Sequence, residues 1–288
     1  GSDYGVYGKM YELINTYDPK SKTFALANSI EAQNAYLQTA EKRNTNWFQE
    51  LFSPAIMQTH AVSMSGGTAK SNYYASASAL LDPGWYKQSQ VKRYTANLNM
   101  TQQLIKGLSL NLIAGASYRN QRAPGTLGQD VDVVGGEVKR DFDINPYSYA
   151  TNTSRVLDPR TYYVANYAPF NIFNELENNF IDLNVLDAKF QAELRYKPIR
   201  GLELSLLGAF KHTAASHQHN IRDNSNQALA YRAMPNGIIR ESNKYLYRDP
   251  DRPYDLPMSV LPYGGIMHKA ENRMSNYDFR ATANYNRT

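Results

Sequence analysis

Apolar and polar residues alternate with a period of two along several long stretches of this chain. Stretches 93–101, 108–119, 186–196, 202–210 and 277–285 carry apolar side chains at nearly every second position. This period puts the apolar set on one face of a β-strand and the polar set on the other. With the turn signals between them, the patterns predict seven strands, at residues 58–65, 71–80, 91–103, 108–120, 185–196, 202–214 and 274–286.

Short and long connections alternate between the predicted strands. The short ones, 66–70, 104–107 and 197–201, each contain glycine, which we expect to supply unusual backbone angles. The long ones, 121–184 and 215–273, far exceed ordinary loops. All 13 prolines lie outside the predicted strands, as expected of a residue that cannot donate to a ladder. The sequence therefore predicts an antiparallel meander with tight turns at one end and long loops at the other.

The first 57 residues predict a helical lead-in. Asn28 or Ser29 can cap a helix, with Glu31 placed for a capping box. A second short helix or turn is expected within 46–52, before Pro54.

The apolar faces need either a protein core or a lipid bilayer beside them. Soluble strands usually have about 5–6 residues, whereas strands of about a dozen, tilted near 40°, span on the order of 30 Å. Aromatic residues lie near both ends of the apolar faces, as in the girdles of outer-membrane barrels. If the tight turns are periplasmic, the outer girdle contains Tyr94, Tyr118, Phe210 and Tyr277, and the inner one contains Tyr73, Tyr196 and Tyr285.

These features predict an all-β fold, namely a partial antiparallel transmembrane β-barrel of about seven strands with a short helical lead-in and long extracellular loops. A soluble β-sandwich or closed barrel remains the alternative. The chain has 23 tyrosines, no cysteine and a net charge of +5 from scattered residues. Nucleic-acid binding is therefore not implied, and a disulfide framework or a cysteine zinc site is excluded. No apolar run approaches the roughly 18 residues of a transmembrane helix.

Three segments in order carry a resemblance to a known family. They are NTNWFQELF (44–52), VSMSGGTAKSNYYAS (62–76) and KRYTANLN (92–99). They resemble the TDWFDxxF, SxSGGTxKxxYYxS and KRYSxRxN segments in the early barrel of SusC/RagA-type TonB-linked outer-membrane proteins. Segments 138–147 and 223–234 look like a subgroup of that family, so the resemblance extends from about Gly8 onward.

The resemblance implies a TonB-dependent transporter in the outer membrane of a Gram-negative bacterium. Such a protein has a barrel of about 22 strands with a plugged lumen. It imports oligosaccharides or peptides with a SusD-like surface lipoprotein and draws energy through the TonB complex. This chain has no TonB box, no recognisable plug and too few strands to close such a barrel. We therefore expect a fragment, with a lead-in at 1–57 after a missing plug and the first part of the barrel, in contact with lipid, at 58–288.

Two groups of residues are candidates for function. Charged residues on the polar faces are expected to line the lumen, where they pair with one another or contact the plug; they are Asp187, Lys189, Glu193, Arg195 and Arg280. Aromatic residues in the long loops are expected to stack on substrate or pack against a lid protein, or else to form the loops' own small cores. The principal ones are Tyr147, Tyr149, Tyr162, Tyr163, Tyr167, Tyr245, Tyr247 and Tyr254, with Tyr231 and Tyr263 beside them.

The sequence predicts no enzyme, metal site or cofactor. His212, His217 and His219 approach metal-ligand spacing, but nothing nearby completes a site. The acidic residues Asp130, Asp132, Glu137, Asp141 and Asp143 do not match a calcium loop, and Asp249, Asp251 and Asp255 lie among turn-forming prolines. Motifs of serine hydrolases, P-loops and zinc proteases are absent. The alternative function is a soluble carbohydrate-binding β-domain with tyrosine-rich loops, and a third is an envelope glycoside hydrolase.

Overall fold

The computed structural model describes residues 4–125, 130, 131, 138, 139, 142 and 144–286. Its helices are α1 Gly5–Asn15, α2 Ile30–Glu41, α3 Trp47–Leu51, α4 Pro146–Asn152, α5 Ile172–Asn178, α6 Asn226–Ala230 and α7 Gly237–Ser242. Its strands are β1 Tyr17–Asp18, β2 Thr23–Phe24, β3 Gln58–Thr68, β4 Ser71–Asp82, β5 Gln90–Ile105, β6 Leu108–Pro124, β7 Asp130–Val131, β8 Val138–Lys139, β9 Tyr163–Ala165, β10 Ala168–Phe170, β11 Asn179–Tyr196, β12 Leu202–Ile221 and β13 Ile266–Tyr285.

Within the described residues, seven long strands form one antiparallel sheet in the order β13-β12-β11-β6-β5-β4-β3. This confirms the predicted meander. The tight turns lie at one end of the sheet, called the short-turn end, and the longer connections lie at the other, called the long-loop end. We name residues 125–178 the first long loop and residues 222–265 the second. The sheet is open, with β3 and β13 as its edges in the described part of the chain.

Cross-strand register places the predicted apolar positions on one face of the sheet. One continuous row, for example, runs through Leu98, Ala114, Phe190, Phe210 and Tyr277. We call this side the apolar face; its large side chains are Val62, Met64, Tyr73, Tyr94, Leu98, Met100, Leu110, Leu112, Tyr118, Leu186, Phe190, Leu194, Tyr196, Leu204, Leu206, Phe210, Tyr277, Phe279 and Tyr285.

Several strands extend further toward the long-loop end than the alternation predicted. Strand β11 begins six residues earlier, β12 ends seven residues later and β13 begins eight residues earlier. Strand β6 ends at Pro124 and β10 contains Pro169, so two prolines that lie outside the predicted strands belong to strands of the structure. Pro124 is the last residue of its strand, where a missing N–H does little harm to the ladder.

The short turns bear out the glycine prediction only in part. Gly107 and Gly201 have φ of 82° and 89°, a left-handed conformation that favours glycine. The first hairpin differs, because Thr68 pairs directly with Ser71 and leaves Ala69 and Lys70 as the turn. Its two glycines belong to β3 instead, so a glycine turn was the wrong prediction there.

The lead-in contains the predicted helices and packs at the long-loop end. The Ser29 side chain accepts a hydrogen bond from the Ala32 N–H at the start of α2, which confirms Ser29 as the cap. With this cap the third helical residue is Ala32, so the predicted capping box with Glu31 is wrong. Beyond α2, Trp47 Nε1 donates to Ser154 O (3.0 Å) and Thr45 Oγ1 donates to Leu157 O (2.7 Å). These bonds attach the lead-in to the first long loop. Among the described residues, no helix is long and apolar enough to cross a membrane.

The buried core lies in the lead-in and the loops, not on the sheet. Its main cluster contains Trp47, Leu51, Ile144, Ile172 and Leu176. In the seven long strands, the described residues that are buried all lie at the long-loop end, and they are Asn179, Phe180, His219 and Ile221. Neither face of the sheet is therefore covered by a packed layer in the described part of the chain.

Candidate functional site

No described segment of the chain packs over the apolar face. On the edge strands Tyr277 is 80% and Val62 67% exposed, whereas on the central strands Phe190 is 48% and Leu98 39% exposed, because neighbouring side chains of the same face cover them in part. A contiguous apolar surface of this size on seven strands exceeds what soluble monomers usually leave uncovered. The face therefore marks a site of contact with an apolar partner or an apolar medium.

Aromatic residues of the outer set form two cross-strand pairs on the apolar face. Tyr94 pairs with Tyr118, and Phe210 pairs with Tyr277, whose rings lie 5.1 Å apart. Adjacent side chains of this kind stabilise a sheet. Strand β11 lies between the two pairs, so their centres are three strand spacings apart.

The two pairs are staggered along the strands. The row through Tyr118 crosses β11 at Leu186, whereas the row through Phe210 crosses it at Phe190, four residues nearer the short-turn end. The inner set shows the same shift. The row through Tyr73 crosses β11 at Ala192, and Tyr196, three strands away, lies four residues further along. Both aromatic sets therefore follow parallel oblique lines across the sheet.

The charged residues predicted to face the lumen share the opposite face of the sheet and form short-range ion pairs. Arg195 makes two hydrogen bonds to the Glu193 carboxylate (3.0 and 3.2 Å). Asp187 Oδ2 lies 3.4 Å from Lys211 Nζ and accepts a hydrogen bond from Thr213 Oγ1 (3.0 Å). A third ion pair on this face, between Arg280 and Asp278, is looser at 3.8 Å. Lys189 projects from the same face.

The loop tyrosines fall into a packed group and an exposed group. In the packed group, Tyr149 contacts Trp47 edge-on at 5.1 Å, and burial raises the pKa of Tyr149 to about 12. The hydroxyl oxygen of Tyr163 accepts the Asp158 N–H at 2.9 Å. Tyr245 joins Tyr167, Tyr231 and Phe142 in a second aromatic cluster. The exposed group comprises Tyr147, Tyr162, Tyr247, Tyr254 and Tyr263.

A buried polar network joins the two long loops, and sequence reasoning missed it. Glu175, 1% exposed, accepts the Asn226 N–H at Oε1 (2.6 Å). Asn226 Nδ2 donates to the carbonyl oxygens of Ala165, Ala168 and Pro169. Burial raises the pKa of Glu175 to about 7. The partners are 51 to 61 residues apart in the chain, so no local spacing could reveal them.

The same network continues to the end of the sheet. Asn179 Nδ2 donates to Gln227 Oε1 (2.9 Å), while Asn179 Oδ1 lies 2.6 Å from His219 Nε2. Strand β11, strand β12 and helix α6 thus meet at one hydrogen-bonded point. The arrangement holds the second long loop against the first.

The histidines considered as metal ligands do not converge. His212 belongs to the apolar face, where it pairs with Ala188, whereas His217 and His219 point to the other face. No group of three or more metal-ligating side chains occurs in the part of the chain that the structure describes. Of the candidate calcium ligands, Asp132, Glu137, Asp141 and Asp143 lie outside the described residues. Asp249 instead orders a turn by accepting the Asp251 N–H.

Comparison with known proteins gives a structural likeness. No family model and no curated protein matches the chain. A structure described as the RagAB peptide importer in the closed-closed state aligns with a TM-score of 0.54 at 18% identity, covering 85% of this chain and 24% of that chain. Another, described as the RagAB peptide transporter, has a TM-score of 0.48 at 16% identity, covering 69% and 22%. The first likeness shows a shared fold, over about a quarter of the other chain's length.

Proposed function

We propose that this chain forms part of the wall of a TonB-dependent transporter in a Gram-negative outer membrane, importing oligosaccharides or peptides together with a SusD-like surface lipoprotein. The observation that carries the proposal is the exposed apolar face bounded by two parallel aromatic lines. Transmembrane barrels have an apolar band of this kind between aromatic girdles. The family resemblance and the fold shared with a peptide importer support the same function.

The stagger of the aromatic lines gives the tilt of the strands relative to the membrane. A shift of four residues over three strand spacings corresponds to about 40°, at about 3.3 Å per residue and about 4.8 Å between strands. Barrel strands tilt by about 35–45°. If the aromatic lines follow the two membrane interfaces, the sheet has the tilt that a barrel wall needs.

The distance between the aromatic lines also suits a bilayer. Tyr277 and Tyr285 lie on the same face of β13, eight residues apart. At a tilt of about 40° they are separated along the membrane normal by about 20 Å. Together with the width of the rings, this approaches the apolar band of about 25 Å in outer-membrane barrels.

The polar face and the long loops also have places in such a transporter. The polar face, with Asp187, Lys189 and Arg195, would line the lumen, and the loops would rise on the extracellular side. Contact with TonB would be made by a region N-terminal to this chain. A soluble carbohydrate-binding domain is disfavoured, because it would leave the apolar face in water at a large cost in free energy.

Substitution at the centre of the apolar face tests the membrane orientation. Ala192 lies about midway between the aromatic lines on β11, so Ala192→Arg should destabilise membrane assembly by about 2–4 kcal/mol. The fraction of the intact protein that assembles in outer membranes, measured by the heat-dependent mobility of the folded barrel in gel electrophoresis, should fall sharply.

The matched control is Gln191→Arg, one residue away on the polar face. This change adds the same charge to the same strand and should leave assembly nearly unchanged. Equal assembly of both variants would contradict a lipid-facing apolar surface.

A further inference from the structure

Beyond the aromatic line nearest the long loops, the same face of the sheet becomes polar and basic. Five cations lie on this face between the aromatic line and the long loops, and we call them the basic belt. They are Lys92, Arg122, Arg222, Lys269 and Arg273. Two carboxylates, Asp182 and Glu271, lie among them. The belt thus has an excess of positive charge on the surface that would face the lipid headgroups.

The belt cations lie at different distances beyond the aromatic line, and three of them lie just outside it. Arg122 lies four residues beyond Tyr118 on β6, and Arg273 lies four residues beyond Tyr277 on β13. Lys92 lies two residues beyond Tyr94. At a tilt of about 40°, these three positions are about 5–10 Å outside the aromatic line, which is about the depth of the headgroup layer of a bilayer. Lys269, on β13, and Arg222, just past the end of β12, lie further out, by about 20 Å or more.

Two of the cations flank a cleft of about 440 Å³ on this face. The guanidinium carbons of Arg122 and Arg222 lie 4.1 and 5.1 Å from the centroid of the Phe180 ring, so both groups are held in place by cation–π contact. Arg122 also makes two hydrogen bonds to Asp182 (2.9 and 3.1 Å). Among the described residues, no carboxylate forms an ion pair with Arg222. Gln218 and Asn220 add amides to the cleft.

We propose that the belt cations at headgroup depth, Lys92, Arg122 and Arg273, bind the phosphomonoester groups of a lipid in the leaflet on the long-loop side. The inference rests on the proposed function, because it needs the apolar face to lie in a membrane. Guanidinium groups donate to phosphate oxygens in paired geometry, and a phosphomonoester, with more negative charge and no attached ammonium, is favoured over the phosphodiester of a zwitterionic headgroup. Lys92, Arg122 and Arg273 lie at headgroup depth on three different strands. That spread fits a layer of headgroups better than a soluble anion, which would need convergent donors.

The test uses the intact protein that contains this chain, reconstituted in phosphatidylcholine nanodiscs. The probes are diphosphorylated lipid A and its dephosphorylated counterpart, and native mass spectrometry counts the retained molecules. We expect the phosphorylated lipid to be retained on the order of tenfold more strongly. Equal retention of the two lipids would overturn the proposal, as would complete displacement by millimolar inorganic phosphate, which would indicate a site for a free anion.

Neighbouring cations on the two faces supply matched variants. Lys92→Gln with Arg122→Gln should lower retention on the order of tenfold. Arg93→Gln with Arg119→Gln removes the same charge from the same two strands but from the polar face, and should leave retention within about twofold. Equal losses in the two double variants would overturn the proposal. If the first pair fails to assemble, Lys92→Gln against Arg93→Gln gives the same comparison.

Assembly in the membrane is measured first, by heat-dependent gel mobility. This separates a failure of the proposed function from a failure of the lipid-binding proposal. A protein that does not assemble in membranes contradicts the proposed function. A protein that assembles but shows no preference for the phosphorylated lipid contradicts the basic belt alone.

Discussion

At the scale of single residues, the most unusual group is the carboxyl of Glu175. Its pKa is raised to about 7 by burial, from 4.5. Between about pH 4.5 and 7 the folded state holds a proton that the unfolded state has released, so the stability of this region should fall as pH rises through that window and level off above it. The expected loss is a few kcal/mol.

Hydrogen exchange of the Asn226 N–H, corrected for the intrinsic pH dependence of exchange, measures this effect. Glu175→Gln keeps an acceptor for that N–H and removes the titration, so protection should no longer depend on pH. Glu177→Gln, at an exposed position of the same helix, is the control and should keep the wild-type pH profile. A wild-type profile in Glu175→Gln would show that another group titrates.

At the scale of elements, the alternation located each long strand but not where several of them stop at the long-loop end. In β11 the apolar-face positions change from Leu186 to Asn184, Asp182 and Phe180, while the ladder to β12 continues unbroken. The other face of β11 changes in the opposite sense, because it carries Ile181, Leu183 and Val185 there. The apolar stripe that identified the strand therefore ends at Leu186. Three belt cations lie in strand residues that the alternation missed, namely Arg122 on β6 and Lys269 and Arg273 on β13.

The hairpin turns give a prediction at this scale. Gly107 has φ of 82°, and a Cβ there would lie 2.6 Å from the Lys197 carbonyl oxygen. Gly107→Ala should therefore destabilise the sheet by at least about 1 kcal/mol, seen as a lower urea midpoint of the folded intact protein in detergent. Gly208→Ala is the control, since its Cβ meets nothing within 4 Å; a similar loss there would indicate a general effect of lost glycine.

At the scale of the whole molecule, the sequence could predict what is periodic or local. The strand order, the two faces and helices α2 and α3 follow from nearby residues, whereas α1 and the loop helices α4–α7 were not predicted. The packing of the lead-in on the first long loop could not be predicted, because Trp47 and Ser154 are over 100 residues apart. For the same reason the loop tyrosines could be identified as a group, yet their division into packed and exposed members required the structure.

That division yields the last prediction, about recognition by the assembled protein. Tyr147, Tyr247 and Tyr254 are exposed on the long loops. On the proposed function, replacing all three by alanine should weaken binding of the proposed nutrient or surface lipoprotein at least tenfold, because aromatic residues are enriched among those whose loss costs an interface about 2 kcal/mol or more. Assembly should not change, because none of the three belongs to a buried cluster. Binding is measured by co-purification of the lipoprotein and by uptake of labelled oligosaccharides and peptides.

The control for this experiment replaces three exposed tyrosines of the lead-in, Tyr7, Tyr11 and Tyr17. It removes as many aromatic rings from the surface while leaving the long loops intact, so binding and uptake should stay near wild type. If the lead-in variant loses binding and the loop variant does not, recognition belongs to the lead-in. The loops would then owe their tyrosine content to internal packing, as Tyr149 and Tyr163 already do.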